Sequence, residues 1–226
     1  MVTFGYQKFV LTECYLKASL NHLSLYIFAT QTKIIEMKKL LFILTLSLFT
    51  ASVFSQKNFM LDKNHSRLSF TAKHFGISHV EGNFKIFDAT LKTNKEDFTD
   101  ALIEMTAEVI SVNTDVEMRD KDLRSSNWFD AEKYPKLIFK STAFKKISGN
   151  NYKLEGSITM HGITKPITFN VVYNGKALNP VSKKYAVGFT VTGKLKRTDF
   201  SIGTELFAGV VGNEIEVQSN VEFIIN

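Results

Sequence analysis

An all-β chain is predicted, closing as an extended antiparallel barrel of about eight strands with one short helix near residues 115–126. Three observations predict it. Apolar residues recur at every second position from Ser66 to the C-terminus, Gly, Asn and Pro punctuate the runs at hairpin spacing, and a single charged segment, 117–135, breaks the alternation.

The alternation runs in order. Leu68, Phe70 and Ala72 form a first set, Val80, Phe84 and Ile86 a second, and Ile103, Met105, Ala107 and Val109 a third. Leu137, Phe139 and Ala143 follow, then Tyr152, Leu154, Ile158 and Met160, then Ile167, Phe169, Val171 and Tyr173. Tyr185, Val187, Phe189, Val191 and Leu195 precede the last run, Ile215, Val217, Val221, Phe223 and Ile225. Turns are expected at Ser148–Asn151, His161-Gly162, Asn174-Gly175, Asn179-Pro180 and Gly212-Asn213. Polar residues such as Glu214, Glu216, Gln218 and Glu222 take the opposite face, which makes the strands half-buried. Long strands with one apolar face close best as a barrel, because closure removes exposed edges; a two-sheet sandwich is the rival.

The charged segment reads as a short helix. Thr114 or Asp115 can cap it, Arg119, Asp120, Asp122 and Arg124 offer partners four residues apart on its solvent side, and Leu123 faces inward. Trp128 and Phe129 anchor its end. So short a helix needs a larger surface to dock on, and everything around it is sheet.

Ahead of the strands, Met37-Lys-Lys is followed by an apolar run from Leu40 to Phe49 and by Ala51-Ser-Val-Phe-Ser55. Basic start, apolar stretch of about ten residues and small residues at the end are the three regions of a secretory signal peptide, too short to span a bilayer. Residues 37–55 are therefore read as the signal peptide, cleaved after Ser55, residues 1–36 as a spurious extension, and residues 56–226 as the working domain. The destination is periplasmic or secreted. The only cysteine, Cys14, precedes that domain, which excludes disulfides, thiolate nucleophiles and cysteine metal sites from it. From Gln56 on, 23 Lys and Arg face 20 Asp and Glu, and no basic run is interleaved with aromatics, so nucleic acid is not an expected partner. The domain carries no apolar run long enough for a transmembrane helix.

The inward set is rich in Phe. An eight-stranded barrel is either filled by its side chains or just wide enough for one slender ligand, and composition alone leaves both open. Phe70, Phe84, Phe139, Phe169, Phe189, Trp128 and Phe129 are the candidate lining. Arg119, Arg124 and Asp120 are candidates for one of two roles: contact with an anionic head group, or a lock holding the helix to the barrel. His65, His74, His79 and His161 fall on separate strands or turns without metal-ligand spacing, so neither a metal nor a catalytic centre is expected. His65 and Ser66, adjacent on a strand, point to opposite faces and cannot form a relay.

Four patterns in register carry a resemblance: Asp62-Lys-Asn-His65-Ser66; Phe70-Thr-Ala-Lys-His74-Phe-Gly76 leading to Val80-Glu-Gly82-Asn-Phe84; Arg119 to Pro135 running into Leu137-Ile-Phe139; and Gly156-Ser-Ile-Thr-Met-His-Gly162 with Arg197-Thr-Asp-Phe200 downstream. From Asn58 to Asn226 the chain resembles the YceI family. The resemblance implies an exported, lipocalin-like extended barrel that holds a polyisoprenoid amphiphile, such as a polyprenyl diphosphate or an isoprenoid quinone, in an internal tunnel. It implies no enzyme activity and no cofactor other than the bound isoprenoid lipid. One departure stands out. Asp122 occupies a position where the family usually carries histidine, so any head-group role of that histidine does not transfer.

Burying a tail of about forty carbons at roughly 0.8 kcal/mol per methylene gives a gross transfer of about 30 kcal/mol, above the practical ceiling of about 20 for noncovalent affinity. A membrane is therefore the ligand's real alternative, and selectivity must come from tunnel shape and polar groups at the mouth. Two other readings stay open on sequence: an enzyme acting on a lipid-like substrate, and an interaction barrel with a solid core. A homodimer also stays open.

Overall fold

The structure, a computed structural model, describes residues 26, 28, 30–33, 35–41, 56–203 and 207–226. The chain divides into two units, Met1–Phe54 and Ser55–Asn226. In the first, the described residues are helical and exposed. The expected cleavage after Ser55, and the expected signal peptide beyond residue 41, lie outside the described residues. No helix among the described residues is long and apolar enough to cross a membrane.

The second unit is built of β1 (Lys57–Leu61), β2 (Arg67–His74), β3 (Ser78–Phe84), β4 (Phe87–Thr93), β5 (Leu102–Glu108), β6 (Val112–Asn113), β7 (Lys136–Ser148), β8 (Asn151–Met160), β9 (Ile163–Leu178), β10 (Tyr185–Lys196) and β11 (Val211–Ile225), with one helix, α1 (Glu117–Arg124). All pairings are antiparallel. β1 bonds to β4 on one edge and β11 on the other, so the order β1-β4-β5-β7-β8-β9-β10-β11 returns to β1 and closes an eight-stranded barrel.

The barrel is long because its last strand serves two neighbours. β11 pairs with β1 from Ile225 to Phe223 and with β2 from Asn220 down to Val211; β3 continues alongside β2 and meets β6 at Phe84. A strand of 15 residues spans roughly 50 Å at about 3.3 Å per residue. The wall is thus extended past the closed ring, and α1 follows β6 at that extended end.

Alternation holds where strands are regular. In β8 the buried residues are Tyr152, Leu154, Gly156, Ile158 and Met160, every second position. It fails at irregularities. Ile86 is exposed, because the chain breaks between β3 and β4 and Lys85 and Ile86 bond instead to Ser111. A bulge at Ser141/Ala143 shifts the phase of β7 and buries Phe144 in place of Ala143. Asn174-Gly175 is no hairpin: it lies inside β9, opposite a register shift at Gly188/Phe189, with Gly175 at φ +124. Gly212-Asn213 likewise lies within β11. Tyr185 is exposed at the start of β10. His161-Gly162 is the two-residue hairpin expected, both residues at positive φ.

The helix forms within the expected range but is held differently. Its N-cap is Val116, with no side-chain capping bond. The Thr114 amide and hydroxyl instead donate to Asp120 Oδ1 at 2.8 and 2.5 Å, and Asp120 is buried rather than on the solvent side. Its carboxylate ties the helix to the strand end before it, which takes the place of the cap.

Candidate functional site

The register of three glycines explains why the interior does not fill. A Cβ on Gly82 would lie 2.3 Å from Phe70 Cζ, one on Gly156 2.6 Å from Phe139 Cζ, and one on Gly193 2.4 Å from Phe169 Cδ1. Phe70 and Gly82 are direct cross-strand partners, which share a face of the sheet. Each ring therefore lies across the inward face of a neighbouring glycine, flat along the wall instead of reaching for the axis.

What remains is a cavity of about 180 Å³ along the barrel. At roughly 10–15 Å³ for one water-sized sphere, that is room for on the order of a dozen such spheres, so the centre is not solid. Phe70, Phe84, Phe139, Phe169, Phe189, Trp128 and Phe129 all stand on its wall, together with Leu123 of α1. The remaining lining is almost entirely aliphatic and aromatic, and its one charged member among the described residues is Arg197.

One end is closed by packing. Phe98, in the loop between β4 and β5, is buried against Phe59, Tyr173 and Phe189 with ring centroids 6.2, 5.5 and 5.4 Å away. Tyr152 donates its hydroxyl to the Asp97 carbonyl, and Phe144 stacks on Tyr152 at 4.8 Å. Asp100 holds the same loop in shape: it accepts from Thr93 Oγ1, the Asn94 amide and side chain, and the Lys95 amide. Burial opposes its ionisation, yet these donors outweigh burial and bring its pKa down to about 2.

The opposite end carries the polar group. There Phe129 packs edge-on to Phe84 at 5.8 Å, and the Trp128 ring stands 5.0 Å from Phe207 and 5.7 Å from the Arg197 guanidinium. Arg197 begins the 3-10 turn Arg197–Phe200 that ends β10 and is 3% exposed. Its Nη1 donates to the carbonyls of Ile202 and Gly203 and its Nη2 to that of Val211. Nε is buried without a hydrogen-bond partner, and no carboxylate among the described residues pairs with the group. Burial holds its pKa below the ordinary arginine value. Sequence reasoning passed over this residue, although counting by twos inward along β10 from Val187, Phe189, Val191 and Leu195 arrives at it.

Arg119 and Arg124 do not reach the cavity wall. Arg119 donates through Nε and Nη2 to the hydroxyl and carbonyl oxygens of Thr114; Arg124 donates to the Asp120 carbonyl and to Glu117 at 2.8 Å. Their bonds, like those of Asp120, serve the helix and its junction. Asp122 is exposed and also off the wall.

The histidines do not converge. His161 Nδ1 meets the Phe200 carbonyl at 3.0 Å, securing the hairpin to the 3-10 turn. His65 pairs with Asp62 at 2.9 Å, and folding adds Glu222 of β11, so that one ligand atom from each of the three lies within 4.8 Å of the others. The hydrogen bond to Asp62 raises the His65 pKa, and the same bond lowers that of Asp62. None of the three stands on the cavity wall. Ser66 binds the Glu222 backbone instead of His65, so the two neighbours do part ways.

Comparison with known proteins agrees with this architecture. The protein "Protein YceI" of Escherichia coli O157:H7 is 34% identical over 190 residues, 82% of this chain and 97% of its own length. Among solved structures, BcnA of Burkholderia cenocepacia superposes with a TM-score of 0.65 at 25% identity, covering 72% of this chain and 98% of that one. A polyisoprenoid binding domain from Saccharophagus degradans, implicated in plant cell wall breakdown, shares the fold with a TM-score of 0.56 at 14% identity, covering 74% and 98%. The YceI-like domain profile matches residues 59–223, and with it the geometry and the relatives agree: the chain belongs to the YceI-like domain family.

Proposed function

We propose that this protein is an exported, noncatalytic binding protein that holds a polyisoprenoid-type amphiphile, polyprenyl diphosphate or quinone-like, inside the barrel as carrier or reservoir. The observation that carries the reading is the apolar cavity, kept open by rings lying over glycines and bearing one charged group near one end. A channel of this lining offers a hydrocarbon tail nothing but dispersion contacts and dryness, which suits a ligand whose alternative is a membrane. The fold shared with a polyisoprenoid binding domain supports the same reading. So does the chemistry of the wall: among the described residues it carries a single arginine, which offers a place to hold a molecule. Export follows from the signal-like segment 37–55, with cleavage after Ser55.

The test is transfer without turnover. Vesicles loaded with an isoprenoid quinone are mixed with empty vesicles and the protein, and the quinone is followed by chromatography. The reading expects transfer to accelerate in proportion to protein while the quinone is recovered unchanged. Chemical conversion of the lipid would favour an enzyme, and no acceleration would remove the carrier role.

A further inference from the structure

We propose that Arg197 anchors the head of the ligand, and that the head it takes is a single oxygen acceptor, neutral or singly charged, such as a quinone carbonyl, a phenol or a carboxylate, in preference to a diphosphate. This rests on the cavity being an amphiphile site.

Position comes first. Arg197 is the one charged residue among the described residues of the cavity wall, and its place at the end of β10 continues the inward series of that strand. Its immediate surroundings are full. A Cβ on Gly203 would lie 2.8 Å from Arg197 Nη1 and 2.7 Å from Trp128 Cζ3, so guanidinium, indole and backbone are in close contact. The side chain is held in place and is not a surface cation folded inward.

Its hydrogen bonds are incomplete in one direction. A guanidinium has five N–H donors. Among the described residues three are met, by the carbonyls of Ile202, Gly203 and Val211, and Nε–H has no partner. Nε lies on the side edge of the planar fork, from which arginine donates to an oxygen acceptor. A buried cation with an unmet Nε–H donor and no anion among the described residues is unfavourable in an empty protein, and a ligand oxygen is the group that would satisfy it. Pinning the loop after β10 accounts for the three Nη bonds and leaves the buried, unpartnered Nε unexplained.

Charge balance selects the class of head. A diphosphate brings several negative charges into a wall whose described residues hold one cation and are otherwise almost entirely apolar, leaving uncompensated charge in a dry site. A carbonyl or phenol adds no net charge, and a carboxylate cancels the charge of Arg197.

The experiment compares heads on one tail. The delipidated protein is titrated with geranylgeranoic acid, geranylgeranyl diphosphate and a headless hydrocarbon of the same length, read through Trp128, the only tryptophan in the chain and a neighbour of Arg197. The acid should bind about ten- to a hundredfold more tightly than the hydrocarbon, the range of one charge-assisted bond, and more tightly than the diphosphate. In Arg197→Met that preference should collapse to within a few fold while hydrocarbon affinity holds, and Arg197→Lys should fall between. Should Arg197→Met not fold by circular dichroism, the order of the three heads on the unmodified protein decides alone. Equal binding of acid and hydrocarbon, an unchanged preference in folded Arg197→Met, or tightest binding of the diphosphate would each overturn the assignment while leaving the amphiphile site intact. Binding of none of the three would remove that site as well.

Discussion

Gly193 of β10 and Phe169 of β9 occupy one space: a Cβ on the glycine would stand 2.4 Å from Cδ1 of the ring, well inside van der Waals contact. The ring can lie along the wall only because the neighbouring strand offers bare backbone there. The Gly82–Phe70 and Gly156–Phe139 pairs repeat the arrangement. Gly193→Ala should push Phe169 toward the axis, cost about 1–3 kcal/mol by overpacking, and shrink the cavity. The check is lipid bound per folded protein after expression beside the unmodified chain, with folding verified by circular dichroism. Unchanged occupancy would show that the rings do not set the cavity.

Phe98 should act as the stopper of the closed end. Its ring touches Phe59, Tyr173 and Phe189, and burial of a Phe in such contact is worth about 3–5 kcal/mol against Ala. Phe98→Ala is expected to lower the unfolding free energy from chemical denaturation by that much. A loss below about 1 kcal/mol would mean that the loop only rests on the barrel.

Acid should loosen the same loop. The Asp100 carboxyl titrates near 2 in the folded protein against an ordinary 3.8, so the folded state favours its ionised form. Its contribution is complete above about pH 5, fades as pH falls through the range between those values, and is absent below both. Discounted for partial exposure, about 1–2 kcal/mol is involved. Asp100→Asn should therefore be less stable than the unmodified protein at pH 7 and nearly equal to it at pH 2, by chemical denaturation at both. A constant difference across that range would assign the effect to shape rather than charge.

Processing offers a direct check of the export reading. The intact mass of protein recovered from outside the cytoplasm should correspond to a chain beginning at Gln56. A chain retaining residues 37–55 would argue against cleavage after Ser55.

Much of this architecture is legible in the sequence because a strand has a side-chain period of two, and period-two runs such as Tyr152 to Met160 report their own inward face. The reading failed where one residue is inserted. Asn174-Gly175 has the composition of a turn, yet the same conformational freedom serves a bulge, and only the pairing of β9 with β10 distinguishes them. Ala143 was misassigned for the same reason, and Ile86 because it falls between the end of β3 and the start of β4. Asp120 looked like a solvent residue of a charged helix, and its burial depends on Thr114 folding back onto it. Arg197 was hidden differently: Lys194 and Lys196 precede it, so the stretch reads as a basic surface, although its odd register with Leu195 puts it on the opposite face from both. The role of Phe98 has no local signal, since a loop has no period.

The claim beneath these predictions is that the barrel is hollow and occupied by a long apolar chain. Native mass spectrometry of the protein purified from a membrane-containing host, before and after extraction with organic solvent, tests it most directly. The account predicts a discrete adduct that extraction removes and whose fragments step by isoprene units. The bare polypeptide mass before extraction, together with failure to take up an added isoprenoid, would contradict it.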